Sequence, residues 1–360
     1  MKKLFKLNII ERYIIKEILH NLILSMLAIN MILMMEKLLR LTRLLSGIGT
    51  TISDFLHIIL LIQPQLTILT LPMSLMTAVL FTYSRLHIDN ELITLKIAGA
   101  SFDEIIRPVL FLSTGCFIVA ILISFYVSPV SAKNLRLKIT NIISFKAPLA
   151  IKERTFHTLF RDMVIFVHQK VSNNLLQNVF IYDKRDNSRP WSIFSKSAQI
   201  VYYDDLSAGF ILKNGEVFFA EEESITKLSF VSYNLKIRIN PEINPKMSEF
   251  TPKEILEQAK TAPNDDKPSM YIEFHRRITF PLMALLVSIL SPCLALISGQ
   301  RGRLGGLSMG ILFFIFYYSI LTYSENLAKS GKISTLIGGW TPLFITLIMA
   351  IFLLKRQQKR

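Results

Sequence analysis

Cysteine is nearly missing from this sequence, at two in 360 residues, and both, Cys116 and Cys293, stand inside long uncharged stretches. Thiols placed there cannot staple an extramembrane domain, so a disulfide framework is excluded and the redox compartment stays open. Charge is also sparse, 19% against about 25% in an average soluble protein. Acidic residues number 26 against 41 Lys and Arg. There is no Gly-x-x-x-x-Gly-Lys-Ser/Thr phosphate loop, no His-Glu-x-x-His and no paired Cys ligands. No catalytic residue, metal site or cofactor is therefore expected. The basic residues are not interleaved with stacking aromatics, which argues against nucleic acid.

What the chain does have is length without charge. Ile18–Met35, Phe55–Ser84, Pro108–Ala132, Ile278–Gln300, Leu304–Ser324 and Ile333–Leu354 contain no Asp, Glu, Lys or Arg. About 20 apolar residues in a helix cross the hydrocarbon of a bilayer. Six such runs predict six transmembrane helices, arranged three and three around an insert. No cleavable signal peptide is evident, because the basic start (Lys2, Lys3, Lys6) leads into the mixed stretch Glu11–Glu17. Most of the +15 net charge lies outside residues 133–267, beside the spans, where lipid phosphates are natural counter-ions. Lys and Arg near the span ends slightly favour termini in the cytoplasm and the insert on the opposite side. The divisions expected are 1–132, 133–270 and 271–360.

The insert reads as all-β. Met163–His168, Val179–Tyr182, Ile193–Tyr203, Phe210–Lys213, Glu216–Ala220 and Leu228–Ile239 are short runs rich in Val, Ile, Phe and Tyr. Asn214-Gly215 between two of them predicts a two-residue hairpin. Five or six such strands suggest an antiparallel sandwich or jelly roll. Thr251-Pro252-Lys253-Glu254 carries a cap, a proline at the first helical position and a glutamate two further on, so a short helix is predicted over 251–261.

Within the spans, His20 and His57 have no carboxylate in the uncharged runs to partner them in acid–base work, and packing explains them better. Pro64 and Pro72 predict a bent second span, or a hinge. Between the second and third spans, residues 86–98 predict a short amphipathic helix, with Leu86, Leu92, Leu95 and Ala98 near one face. Asp89 or Asn90 would cap it and Gly99 would end it. Such a helix either lies in the interface or docks into a soluble partner. Lys37, Arg40 and Arg43, spaced i, i+3, i+6, share a face if the first helix continues past the membrane. With Lys133, Arg136, Arg276 and Arg277 they sit on the outward side. There they are either anchors or a site for a phosphorylated glycolipid head, which guanidinium grips with two prongs.

Several segments resemble the LptF/LptG permease family: Glu11-Arg12-Tyr13-Ile14, Glu36-Lys37-Leu38-Leu39-Arg40, residues 90–101 (Asn-Glu-Leu-Ile-Thr-Leu-Lys-Ile-Ala-Gly-Ala-Ser), His275-Arg276-Arg277 and Gln300-Arg301-Gly302-Arg303. The resemblance covers the whole chain, since three spans, a β insert and three spans is the family's plan. The placement of Lys37 and Arg40 is closer to LptF than to LptG.

The resemblance implies a transporter subunit of the bacterial inner membrane rather than an enzyme. It would pair with an LptG-like (or LptF-like) permease and bind an LptB-like ATPase dimer, with an LptC-like single helix and an LptA-like periplasmic bridge. Its substrate would be lipopolysaccharide and its β domain periplasmic. Glu91 would be the acidic contact to the ATPase, on a coupling helix with Arg85, Asp89, Leu92 and Leu95. Lys37, Arg40 and Arg43, with Arg136, Arg276 and Arg277, would meet lipid A phosphates. The alternative from a different class is a non-transport envelope protein whose β domain binds another protein.

Overall fold

A computed structural model describes residues 9–45, 50–146, 153–157, 162–172, 174–184, 190–202, 208–220, 225–237, 245–298 and 302–358. The basic start at Lys2, Lys3 and Lys6, the Gln300-Arg301 pair, and the predicted strand ends Tyr203 and Ile239 lie outside the described residues.

The helices are α1 (Ile9–Leu45), α2 (Ile52–Ile88), α3 (Glu91–Ile97), α4 (Phe102–Leu122), a π-helical turn (Ile123–Val127), α5 (Ser128–Lys146), α6 (Pro252–Thr261), α7 (Lys267–Ser298), α8 (Gly302–Lys329) and α9 (Thr335–Gln358). Six segments are long and apolar enough to cross a membrane: Ile9–Arg43, Ile52–Ile88, Phe102–Ile142, Lys267–Ile297, Ser308–Lys329 and Thr335–Gln357. Each contains or closely overlaps one of the uncharged runs. The helices are longer than those runs, however, and take in Glu11, Glu17, Asp54, Glu273 and Glu325. These carboxylates all lie outside the uncharged runs, because the helices outlast their apolar cores.

The chain divides into two compact units. The first comprises Met1–Lys37, Leu60–Lys133 and Pro245–Arg360; the second comprises Leu38–Ile59 and Asn134–Asn244. The core of the first is mostly aliphatic, with Ile14, Ile18, Leu75, Val79, Leu80, Val109, Ala284, Val287 and Leu290 buried together with Tyr317. Tyr83 is fully buried there and donates to the Ile105 carbonyl at 2.5 Å, tying α2 to α4. Cys116 and Cys293 are free thiols.

Proline shapes these helices in a definite way. It lacks an N–H, so the carbonyl four residues earlier loses its donor. Pro281 thereby frees the carbonyl of Arg277, and the Ser124 hydroxyl takes it at 3.0 Å. Pro342 frees the carbonyl of Gly338, and the Ser324 hydroxyl takes that one at 2.8 Å. In hydrocarbon no water can fill this role, so a hydroxyl on a neighbouring helix must. Pro129, at the second position of α5, likewise unpairs the Phe125 carbonyl, and the π-helical turn Ile123–Val127 falls at that point.

The second unit holds the sheet: β1 (Phe156–His157), β2 (Met163–Lys170), β3 (Leu175–Asp183), β4 (Trp191–Tyr202), β5 (Ala208–Ala220) and β6 (Ile225–Ile237). All pairs are antiparallel and neighbours follow sequence order. The all-β insert is as expected, but its Asn214-Gly215 hairpin is not. β5 runs straight through both residues and pairs with β4 and β6 on either side without change of register.

The reason lies in a row across the sheet. Val179 pairs with Ser195 and Gln177 with Ser197, which sets Asn178 opposite Lys196; the same logic sets Asn214 opposite Lys196 from the other side. Asn178 and Asn214 both take left-handed backbone, φ 49° and 54°. Burial shifts phase by one residue at this row. Val179, Ile181, Ile193 and Val217 are buried on one side of it, and Leu176, Ala198, Ile200 and Leu212 on the other. Asparagine tolerates left-handed backbone better than most residues. Gly215 is required for space, since a Cβ there would lie 2.3 Å from the Phe194 carbonyl oxygen and 2.4 Å from the Phe230 ring.

The short helix at 251–261 forms as predicted. Thr251 accepts from the Glu254 amide at 3.4 Å, and the Glu254 carboxylate accepts from the Thr251 amide at 2.7 Å. These bonds to Thr251 hold the Glu254 carboxyl below the usual carboxylate range, with help from the charges of Lys133 and Arg277.

A cationic cleft and an arginine-tied loop helix

Two constellations in the first unit gather most of the residues singled out above. The first is built on His275-Arg276-Arg277 in α7, where three consecutive side chains serve three different neighbours. His275 accepts from the Trp340 indole of α9 at 3.3 Å, and Gly339 lets the two helices approach, since a Cβ there would sit 2.9 Å from the His275 Cβ. Arg276 grips Glu325 of α8 with two prongs, Nε to Oε1 at 3.1 Å and Nη2 to Oε2. Its Nη1 also lies 3.7 Å from Glu273, one turn back.

Arg277 is only 6% exposed. Its Nη2 donates to the carbonyls of Met247 and Ser248 at 3.2 and 3.1 Å, holding the segment that leads into α6. Its Nε is 3.6 Å from Glu273. Nη1 is buried without a hydrogen-bond partner among the described residues.

These side chains line a cleft of about 380 Å³ together with Lys37 of α1, Ser124 and Ser128 around the π-helical turn, and Tyr318 of α8. Three cations therefore face two carboxylates. Glu325 is 5% exposed, and a charge buried that deeply persists only when paired. Arg276 provides the pairing, 49 residues away in sequence.

The second constellation is at the α2–α3 junction. α3 starts after Asn90, whose backbone is left-handed at φ 58° and whose side chain makes no capping bond. The expected cap by Asp89 or Asn90 is thus corrected. Asp89 is instead held by Arg85 at 3.3 Å, one turn back on α2. The end of α3 is as expected: Gly99 is left-handed at φ 92°, and Ala100 donates back to the Leu95 carbonyl at 3.0 Å. Arg85 ties the loop together. It pairs with Glu17 at 2.5 Å, donates to the Tyr13 hydroxyl at 2.6 Å, and reaches Glu91 at 3.3 Å. Leu92 is buried in the bundle core and Leu95 is half-buried. Ile93 and Ile97 point outward, Ile97 at 82% exposure. The outward apolar face of α3 is therefore Ile93 and Ile97.

Residues 12–356 match the family described as "Lipopolysaccharide export system permease LptF/LptG". The chain belongs to the LptF/LptG family. Similar proteins include an uncharacterised protein of Rickettsia prowazekii (strain Madrid E), 26% identical over 293 residues, which is 79% of this chain and 80% of that protein. The lipopolysaccharide export system permease protein LptF of Escherichia coli (strain K12) is 20% identical over 356 residues, 96% of this chain and 94% of its own length. LptF of Shigella flexneri matches to the same extent. An LptF/LptG chain with six spans and an antiparallel β insert is a multi-pass membrane protein of the lipopolysaccharide export permease family.

Within this LptF/LptG chain, Arg85, Asp89 and Glu91 come together, and so do Lys37, Arg276 and Arg277. Arg40, Arg43 and Arg136 belong to the second unit, where Arg40 and Arg43 are exposed and Arg136 half-buried. In that unit Lys138 pairs with Asp54 at 3.0 Å. Reasoning from sequence missed Glu325, Glu273, Glu17 and Ser124. Glu325 was findable in principle, because it is the first charge after the run ending at Ser324. Ser124 was not, because nothing local marks it as a partner for α7.

Proposed function

We propose that this chain is the LptF-type permease subunit of an ABC-type lipopolysaccharide exporter. It draws lipopolysaccharide from the outer leaflet of the inner membrane and passes it to a periplasmic bridge, while a separate LptB-like ATPase dimer hydrolyses ATP. Its termini are cytoplasmic and its β domain periplasmic. The other members of the machine are an LptG-like half, an LptC-like single helix and an LptA-like bridge. Family membership over nearly the whole chain supports this reading, as does the length over which LptF of Escherichia coli aligns.

The observation that carries it is the α3 loop. A seven-residue helix with an outward apolar face cannot hold itself in water, since helices this short are marginal. Here it is fixed at both ends, by Arg85 on Glu91 and Asp89 and by the Gly99 stop. Such a rigid, part-apolar projection suits a helix that receives force from a soluble engine. Glu91 and the exposed Ile93 and Ile97 make the contact, while Arg85, Leu92 and Leu95 hold the helix in place.

At the other end of the first unit, Lys37, Arg276 and Arg277 receive a phosphate of the glycolipid head; Arg40, Arg43 and Arg136 are further candidates for contact with lipid phosphate. Guanidinium suits phosphate because its fork matches two oxygens.

The decisive experiment is copurification with the ATPase subunit and photocrosslinking to lipopolysaccharide at residues 30–45. Glu91→Lys is expected to abolish copurification. Lys37→Glu is expected to lose crosslinking while the complex stays intact. Assembly and transport unaffected by Glu91→Lys and Glu91→Ala would overturn the coupling role. Absence of glycolipid at residues 30–45, with or without ATP turnover, would overturn the export role of the cleft.

A further inference from the structure

The cleft contains its own competitor for an anionic ligand. Of its three cations, Arg276 is already occupied, with Nε and Nη2 both spent on Glu325. Lys37 forms no ion pair among the described residues, and Arg277 keeps one buried nitrogen, Nη1, without a partner. A phosphate entering the cleft thus meets one cation without an ion pair, one with a buried unpartnered nitrogen, and one that must first be released. Glu325 itself is buried at 5% exposure on α8 and faces no other cation within ion-pair distance among the described residues.

We propose that Glu325 is the resident counter-ion of this cleft, exchanged for a phosphate monoester during binding and restored to Arg276 on release. The inference rests on the glycolipid reading above and adds the group that sets how tightly the site holds and how fast it lets go. Three cations gathered in one cleft, Arg277 among them at 6% exposure, would be costly without anions. Three cations with a phosphate and nothing to replace it would hold the phosphate too well for a transporter. An internal carboxylate meets both needs. When phosphate arrives, Arg276 trades one two-pronged acceptor for another of the same geometry, and Glu273 at 3.7 Å keeps it from being bare in between. When phosphate leaves, Glu325 returns to the fork. No covalent step is involved; only ion-pair partners change.

Glu325→Gln removes the competing charge while keeping the shape and a hydrogen-bond acceptor. Arg276 then retains Glu273, so the substitution does not leave it unpaired. The test uses the full chain in nanodiscs, purified with the subunits that accompany it, and a fluorescent bis-phosphorylated lipid A as probe. Glu325→Gln is expected to bind the probe about tenfold tighter, with dissociation slowed by a similar factor, because a like charge has been removed from the binding site. A purely structural Glu325 would instead weaken binding or leave it unchanged while lowering thermal stability, and that result would overturn the proposal.

Should Glu325→Gln fail to fold, Glu325→Asp decides the matter. It keeps the charge but pulls the carboxylate back from Arg276, and a smaller gain of about threefold is expected; no gain would count against exchange. Lys37→Gln separates this inference from the reading beneath it. If wild type binds the probe no better than Lys37→Gln does, the glycolipid site itself is wrong. If wild type binds through Lys37 and the Glu325 variants show no gain, only the counter-ion role fails. Displacement of the probe by inorganic phosphate at equal concentration would mark a site for free anion and overturn the glycolipid reading instead.

Discussion

The Ser124 hydroxyl donates to the Arg277 carbonyl at 3.0 Å, and that carbonyl is the one Pro281 leaves without a donor. The bond joins the π-helical turn of the third span to the fourth span, one residue from the Arg276–Glu325 pair. Because it repairs a specific defect, its worth depends on the defect being there. Ser124→Ala is expected to cost about 1 kcal/mol, the scale of interhelical hydrogen bonds in membranes. In a Pro281→Ala background the restored N–H takes the carbonyl, and Ser124→Ala should cost almost nothing. Thermal unfolding of the four proteins in detergent measures the cycle. Equal losses in both backgrounds would show that the hydroxyl serves some other purpose.

Gly338 gives a second packing prediction. Its carbonyl, freed by Pro342, accepts from Ser324, and a Cβ on it would lie 2.5 Å from the Ala328 Cβ and 3.0 Å from the Ser324 carbonyl oxygen. Neither obstacle is the flexible end of a long side chain, so α8 and α9 must separate to admit a methyl. Gly338→Ala is expected to destabilise by about 1–3 kcal/mol, the usual cost of overpacking. Gly115→Ala, on α4 with nothing within 4 Å of the added carbon, is the control. It should be neutral or slightly stabilising, since alanine favours helix over glycine. A Gly338→Ala protein as stable as wild type would mean that the two helices are not in close contact in the bilayer.

The contrast between Ser324 and Glu325 shows where sequence stops being informative. Ile18–Met35 and the other five runs were legible because the bilayer imposes a length on them. Ser324 and Glu325 mark the end of such a run, but charge in sequence says nothing about burial, and Glu325 is buried because Arg276 compensates it from 49 residues away. Arithmetic on Pro281 and Pro342 identifies the two unpaired carbonyls without a structure. It does not say that Ser124 and Ser324 fill them, which depends on how the helices pack. Asn214-Gly215 misled for a related reason. The pair reads as a turn, but Asn214 takes its left-handed backbone inside a strand, and Gly215 is needed because Phe194 and Phe230 crowd it from adjacent strands. In the loop helix, Gly99 was legible as a stop, whereas the start was not, because Asn90 at the cap position is left-handed and its side chain makes no capping bond.

The cap of α6 carries a pH dependence whose sign follows from its hydrogen bonds. Thr251 holds the Glu254 carboxyl below the usual carboxylate range. A lowered value means that the folded state favours the charged form, so the cap's contribution is whole above the ordinary carboxylate pKa and is lost as pH falls through the lowered one. Thr251→Ala is expected to cost about 1 kcal/mol at neutral pH, as loss of an N-cap usually does. The difference between wild type and Thr251→Ala should stay constant from pH 8 to pH 6 and shrink only under acid conditions. Hydrogen exchange at residues 252–256 reports it directly. A gap that narrowed near pH 6 would require a histidine, not Glu254, as the titrating group.

Arg85 joins α1, α2 and α3 through Glu17, Tyr13, Asp89 and Glu91, and its replacement should separate positioning from contact. Arg85→Ala leaves Glu17, at 19% side-chain exposure, without its cation. Hydrogen bonds to charged groups are worth roughly 1.5–3 kcal/mol, so a destabilisation of about 2 kcal/mol is expected. Arg85→Lys restores the charge but offers a single ammonium, which cannot span the acceptors that the guanidinium fork reaches. It should recover most of the stability and little of the order in the loop. Tyr13→Phe removes one weak partner and should cost less than about 1 kcal/mol. The informative measurement is ATPase copurification alongside thermal stability. If Arg85 positions Glu91, Arg85→Lys is nearly as stable as wild type yet retains the ATPase poorly, and the defect is not worsened by adding Glu91→Ala. If Arg85→Lys retained the ATPase fully, or if the two losses added, Glu91 would be finding its partner without help from α1 and α2.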